Sequence, residues 1–247
     1  MTLDTAHNLD PISLDYSMFS RTDLMNLVLQ RSEVIEGPRP GRLIKAWIAG
    51  DAAPLRDYVE QMGQDIARMA AKVILAEFEE LTPLLDKIGP KRLADIGCGY
   101  GFFDLFCYHR YGNHVLLIDV ESNDNRHFGF HEEAAAYTSL NTAQAFLRAN
   151  AVPVDKIATW NPDTEDPPED DKVDLAVSFL SCGYHFPVDM YLPFFRYGVK
   201  PNGRLILDIR GQSFQDAKQV LKAYGSVNVL TQGGGRKRVL VEKGARR

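Results

Sequence analysis

The stretch Leu93-Ala94-Asp95-Ile96-Gly97-Cys98-Gly99-Tyr100-Gly101-Phe102-Phe103 constrains this chain more than any other. A short apolar run reaches an acidic residue, three glycines follow at alternate positions, and an apolar segment of helical character begins. That order predicts a strand, a tight turn and a helix start. Glycine lacks a Cβ and tolerates positive φ, so such a turn lets a ligand approach the backbone closely. A nicotinamide site wants a small residue at the sixth position of G-x-G-x-x-G/A. Here that position is Phe102, and the third glycine arrives one residue early.

From Lys91 the rhythm is strand, loop, helix, repeated. Strands are predicted over 91–96, 114–119, 156–160, 173–179 and 204–209. Helices are predicted over 102–111, 134–150, 187–197 and 214–224. Alternation of this kind implies an α/β fold with a mostly parallel sheet. The ending differs. Two further strands, 227–231 and 238–242, flank Gly233-Gly234-Gly235 with no helix between them, which makes an antiparallel hairpin.

The first 90 residues read otherwise. Residues 1–11 form a polar start. Ser20 is a candidate N-cap for a helix carrying Leu24, Leu27, Val28 and Val34. Gly37-Pro38-Arg39-Pro40-Gly41 reads as a rigid loop, and 43–48 as a short apolar helix or strand. Asp51 opens a long helical region with Leu55, Val59, Met62, Ile66, Met69, Val73, Ile74 and Phe78 at helical spacing. Pro83 is expected to end or kink it, and Gly89-Pro90 to close it. The division expected is a helical extension or cap over 1–90 and a ligand-binding domain over 91–247. The extension reads either as a lid over a substrate pocket or as extra helices packed on a sheet.

Composition bounds the partners. A net charge of -5 argues against a broad nucleic-acid footprint. The N-terminus has no positively charged segment followed by an apolar core, and no apolar run approaches a membrane span. Three cysteines, Cys98, Cys107 and Cys182, show no metal-ligand spacing and suit reduced thiols in a cytoplasmic protein.

Asp119 ends the second strand, where a carboxylate can accept hydrogen bonds from ribose hydroxyls. With it in place, Asp95-Ile96-Gly97-Cys98-Gly99-Tyr100-Gly101 resembles the D-x-G-x-G-x-G signature of the class I S-adenosylmethionine-dependent methyltransferases. The resemblance covers about residues 91–242. Val199-Lys200-Pro201-Asn202-Gly203-Arg204-Leu205 is similar to the family's Lys-Pro-Gly-Gly-like turn before the fifth strand, and the final hairpin is similar to its ending. The resemblance implies a seven-stranded, mostly parallel Rossmann-like sheet and S-adenosylmethionine as cofactor. It sets Gly97, Gly99 and Gly101 against the methionine part, Asp95 near its amino group and Asp119 on the ribose. It puts Trp160 beside the adenine and Asn161 at its amino group. The family usually has Asp near the position of Asn161; Asn keeps an acceptor and adds a donor. Trp160 also reads as core packing, and Asn161 as a turn residue before Pro162.

The most individual stretch is Ser178-Phe179-Leu180-Ser181-Cys182-Gly183-Tyr184-His185-Phe186-Pro187. Following the fourth strand, it is expected beside the cofactor's reactive end. His185 can deprotonate a substrate hydroxyl, because its unperturbed pKa lies near neutrality. Tyr184 or Ser181 can orient that substrate, and Ser178 caps or packs near the cofactor. Each of the four also reads as a packing residue. The activity implied is methyl transfer to a small-molecule acceptor at a hydroxyl, with sugars and secondary metabolites among the acceptors the resemblance allows. N-methylation of a small amine, RNA methylation and cofactor binding without turnover are the other readings. Oligomeric state is not legible.

Weaker patterns complete the sequence. His109, His114, His127 and His131 cluster without an H-E-x-x-H arrangement, so no metal site is expected. Residues 163–171 read as an acidic solvated loop. Arg236-Lys237-Arg238 and Arg246-Arg247 read as the basic end of a solvated hairpin.

Overall fold

The computed structural model describes residues 9–36, 41–121, 138–168 and 172–245. Its strands are β1 (Arg92–Ile96), β2 (His114–Ile118), β3 (Ile157–Trp160), β4 (Val173–Ser178), β5 (Val199–Arg210), β6 (Gly225–Gly233) and β7 (Arg236–Lys243). Its helices are α1 (Arg21–Gln30), α2 (Gly41–Ile48), α3 (Ala53–Met62), α4 (Asp65–Ile88), α5 (Phe102–Tyr111), α6 (Leu140–Ala149), α7 (Leu192–Tyr197) and α8 (Phe214–Leu221). By compactness the chain forms two units. One comprises Met1–Ile88, Gly99–Arg110 and Glu121–Val154; the other comprises Gly89–Cys98, Tyr111–Val120 and Asp155–Arg247.

The second unit holds the sheet, in the order β3-β2-β1-β4-β5-β7-β6. The first five strands pair in parallel, and β7 runs antiparallel between β5 and β6. Strand order therefore turns around beside β1, with β2 on one side and β4 on the other. The carboxyl ends of strands at such a reversal open a crevice where ligands bind in open α/β sheets. Leu93, Leu175, Val177, Leu205, Ile206 and Leu207 are fully buried, as near-continuous apolar strands require when both faces are covered. The predicted hairpin is present. Gly234 and Gly235 both have positive φ (57° and 76°), the conformation a two-residue turn between twisted strands demands.

The first unit is helical and aromatic. Ser20 caps α1 reciprocally: its Oγ accepts the Asp23 N–H, and the Asp23 carboxylate accepts the Ser20 N–H. Phe19 stacks on Phe102 at 5.9 Å and meets Tyr100 edge-on at 5.1 Å. Phe146 of α6 lies 4.7 Å from Phe102 and 5.9 Å from Tyr16. Phe78 of α4 meets Phe103 and Phe106 of α5. Asn150, the C-cap of α6, accepts the Asp15 N–H and donates to the Asp15 carbonyl. Arg31 and Arg110 add bidentate ion pairs to Glu77 and Asp86. The N-terminal helices thus share one core with α5 and α6.

Several expectations are corrected here. The long helical region from Asp51 is two helices, parted at Gly63, whose φ is 52°. Pro83 does not end α4, which continues to Ile88. Proline removes only the donor to the Glu79 carbonyl, and Glu79 is exposed to water, while buried Leu81 and Leu85 hold both sides of the proline. Of the two readings of 43–48 the helix holds, within α2. The Lys200-Asn202 turn lies inside β5 as a pairing irregularity, with Asn202 at φ 62°. Among the described residues no helix is long and apolar enough to cross a membrane.

Candidate active site

Within the sheet unit, β1 delivers the buried Asp95 and then Gly97. The N–H groups of Gly97 and Cys98 both donate to the Ile118 carbonyl (2.7 and 3.2 Å), which ties the turn to the end of β2. Gly97 has φ 73°, and a Cβ there would fall inside the side chain of Ser181. Gly99 and Gly101 also carry positive φ, 58° and 74°. All three glycines are therefore required by backbone conformation. Asp119 is buried at the end of β2, and its N–H donates to the Trp160 carbonyl at 3.3 Å.

At the end of β3 the two adenine candidates have other commitments. Trp160 is buried, its indole Nε1–H donates to the Glu165 carbonyl, and its ring lies 5.5 Å from Phe194. Asn161 closes a turn: its Oδ1 accepts the Asp163 N–H at 3.0 Å, and its carbonyl accepts from Thr164 and Glu165. The Asn161 Oδ1 keeps a second lone pair, and its Nδ2 adds two donors.

Tyr191, which the sequence reading missed, lies beyond the loop that follows β4. It is buried on a single 3₁₀ turn, Val188–Tyr191, inside the stretch expected to be plain helix. Burial first, then the charges of Cys182, Asp119, Asp163 and Cys98, push its pKa well up. Its phenol is therefore a neutral donor among groups from the ends of β1 and β2 and the turn after β3. No spacing in the sequence marks it, because those neighbours are distant along the chain.

The loop after β4 is pinned at several points. Ser178 is fully buried; its Oγ–H donates to the Ile96 carbonyl (2.7 Å) and its Oγ accepts the Cys182 N–H (2.9 Å). Ser178 thus positions β1 against the loop. The Ser181 carbonyl accepts N–H groups from Tyr184, His185 and Phe186, and the Gly183 carbonyl accepts the Arg210 N–H. A Cβ on Gly183 would strike Ile209. Cys182 is fully buried and its thiol pKa is pushed far up by burial, so it is no nucleophile.

The reactive side chains of that loop lie together. The Tyr184 and His185 rings meet edge to face at 5.1 Å, and the Arg210 guanidinium lies 5.0 Å over the Tyr184 ring. His185 keeps an exposed face. Partial desolvation, and then the Arg210 charge, lower its pKa below the usual imidazole value, so it is neutral at pH 7. Ser181 presses on Gly97, and His185 hangs from the Ser181 carbonyl. The candidates after β4 therefore stand one hydrogen bond from the glycine turn.

Other sequence patterns resolve differently. His109 bonds the Asn150 carbonyl and His114 bonds Lys156 Nζ. His127 and His131 lie outside the described residues, as do Arg246, Arg247 and residues 169–171 of the acidic loop. Among the described residues no group of three His, Cys, Asp or Glu can hold a metal ion. The basic hairpin is not simply solvated. Strand register sets Arg238 opposite Asp208, and the two make a buried bidentate pair at 2.7 and 2.9 Å. Arg236 lies 3.5 Å from the same carboxylate, and Lys237 sits over the Phe214 ring.

No protein-family model and no curated protein matches the sequence. Solved structures do match in shape. The methyltransferase domain of bacterial CtHen1 is similar over 68% of this chain and 97% of its own, at 15% identity and a TM-score of 0.50. An O-methyltransferase family protein from Burkholderia thailandensis is 12% identical over 91% of this chain and 72% of its own, with a TM-score of 0.48. Human N-acetylserotonin methyltransferase, solved with S-adenosylmethionine, is 12% identical over 88% of this chain and 66% of its own, also at 0.48. With its strand order, its terminal hairpin and its likeness to the first of these, the chain has the Rossmann-like fold of the class I S-adenosylmethionine-dependent methyltransferases.

Proposed function

We propose that this chain is an enzyme that transfers the methyl group of S-adenosylmethionine to a hydroxyl of a small molecule. The observation that carries the reading is the seat of Ser181 on Gly97. It supports the reading because a loop rich in reactive side chains meets the turn expected to hold the cofactor.

The residues present fit that cofactor. It carries a sulfonium and an ammonium, and the strand ends offer two buried carboxylates, Asp95 and Asp119. Asp119 takes the ribose hydroxyls, with the neutral Tyr191 phenol as a second polar group on the nucleoside side. Asp95 and the carbonyls of the glycine turn are the groups for the amino group. Asn161 offers Nδ2 to the adenine edge. The three buried thiols suit a reducing, cytoplasmic setting.

When bound, the cofactor supplies an already activated methyl group. The chain's own work is to align the acceptor and take its proton. Neutral His185 accepts the hydroxyl proton on an imidazole nitrogen, and Tyr184 orients the acceptor oxygen. Ser181 fixes the loop at the turn.

Calorimetry with S-adenosylmethionine, followed by radiolabelled methyl transfer to a panel of hydroxyl and amine acceptors, tests the reading. Binding with turnover on hydroxyl compounds supports it. No binding, or transfer confined to amines or RNA, overturns it.

A further inference from the structure

We propose that the Tyr100 hydroxyl, held by Asp23 and Asn26 of α1, is a positioning group that fixes the second half of the glycine turn and so sets its affinity for the cofactor. This role rests on the methyl-transfer reading and brings the N-terminal extension into it.

Tyr100 lies between Gly99 and Gly101, whose φ values are 58° and 74°. Glycine reaches that conformation without strain, and for the same reason it leaves it readily. A turn built this way keeps one shape only if something outside it holds it. The Tyr100 side chain does so within the helical unit. It is buried, and its hydroxyl donates to Asp23 Oδ1 at 2.9 Å and accepts from Asn26 Nδ2 at 3.4 Å. The other oxygen of Asp23 accepts the Ser20 N–H at 2.9 Å and the Ser20 hydroxyl at 2.5 Å. One carboxylate thus closes the capping box of α1 and anchors the middle of the turn.

Asp23, Asn26 and Gln30 lie on one face of α1, at i, i+3 and i+7. Gln30 Oε1 comes within 3.5 Å of the place a Cβ on Gly99 would take. The polar face of α1 therefore meets the turn at both Gly99 and Tyr100. Packing alone does not account for that face. Phe19 already meets the Tyr100 ring at 5.1 Å, so a phenylalanine at position 100 would fill the same space. Asn26 is buried too, and its Oδ1 has no hydrogen-bond partner among the described residues. An apolar side chain there would avoid that penalty. What the polar groups add is direction, because a hydrogen bond fixes where the Tyr100 side chain points, and with it the backbone on either side.

The test compares Tyr100→Phe with Ile66→Val in the full chain. Ile66 is fully buried in α4, and the loss of one methylene there lowers stability without removing any of these hydrogen bonds. Calorimetry with S-adenosylmethionine, well below the melting temperature of both variants, should show binding about tenfold weaker in Tyr100→Phe, the scale of losing a hydrogen bond to a charged group. Binding by Ile66→Val should match the unaltered chain. Backbone amide order parameters of Gly99 and Gly101, measured by NMR without ligand, should fall in Tyr100→Phe and hold in Ile66→Val. Undiminished affinity in Tyr100→Phe, or equal losses in the two variants, overturns the proposal. Absence of binding by the unaltered chain removes the methyl-transfer reading instead. The hold on the turn is then decided by the order parameters, and unchanged values in Tyr100→Phe overturn it.

Discussion

A methyl group at position 97 has nowhere to go. Gly97→Ala combines positive φ with collision against Ser181, and we expect it to abolish measurable cofactor binding. The companion Gly97→Ala/Ser181→Gly removes the collision and leaves the backbone strain, about 1 to 2 kcal/mol. It should recover part of the affinity; equal defects in both would show that Ser181 does not press on the turn. Asp119→Ala should weaken S-adenosylmethionine about tenfold to a hundredfold in calorimetry, the scale of losing hydrogen bonds to a charged group. Unchanged affinity would remove its ribose role. His185 works as a base only when neutral. Its lowered pKa puts the acid limb of kcat/KM below the ordinary imidazole value of about 6.5. Arg210→Gln removes a positive charge, so the limb should move up in pH. His185→Gln should cost about 10²- to 10⁴-fold in turnover. A limb unmoved by the Arg210 change would mean that another group titrates. Gly97 and Asp119 were legible in the sequence because a turn and a strand end are local facts. Tyr191 was not, since the groups around it follow four different strands.

Elements show the same division between local and distant information. Strands β1 to β4 and α5 follow from apolar runs bounded by turn residues, and the hairpin from its glycines. The pairing partner of each strand is not written locally, and this is why Arg238 read as a solvated charge. Only the β5–β7 register puts it opposite Asp208, away from water. Arg238→Met leaves that carboxylate buried with Arg236 alone, and should cost about 3 to 5 kcal/mol in urea unfolding. The double change Asp208→Leu/Arg238→Met should cost much less than the two single changes added together, because no uncompensated charge stays inside. Additive losses would show that the pair contributes no coupling of its own. The α4 helix teaches a related point. Pro83 is a helix breaker by propensity, yet burial of Leu81 and Leu85 outweighs one missing hydrogen bond.

For the whole molecule, chain order and compactness do not coincide. The helical unit gathers three separate stretches of sequence, so Phe19 and α1 to α4 complete a core that α5 and α6 help to build. Periodicity told which faces of the N-terminal helices are apolar, and not what they cover; a lid and a packed layer have the same stripe. Phe19 contacts Tyr100, Phe102 and Phe146 within the helical unit, which favours a packed layer there. Phe19→Ala should therefore destabilise the chain by about 3 to 5 kcal/mol, the usual cost of truncating a buried phenylalanine. A chain beginning at Gly89 keeps every strand of the sheet and loses α1 to α4. It leaves Phe102, Phe103, Phe106 and Phe146 without the rings they pack against in the helical unit. We expect that truncated chain to bind a hydrophobic dye and to aggregate on expression, and a sharp, reversible melt from a monomer would contradict this. A detachable lid predicts the reverse: a folded remainder that still binds S-adenosylmethionine and merely loses acceptor selectivity. The truncation thus separates the two readings that the sequence left equal, since one measures a core and the other a cover.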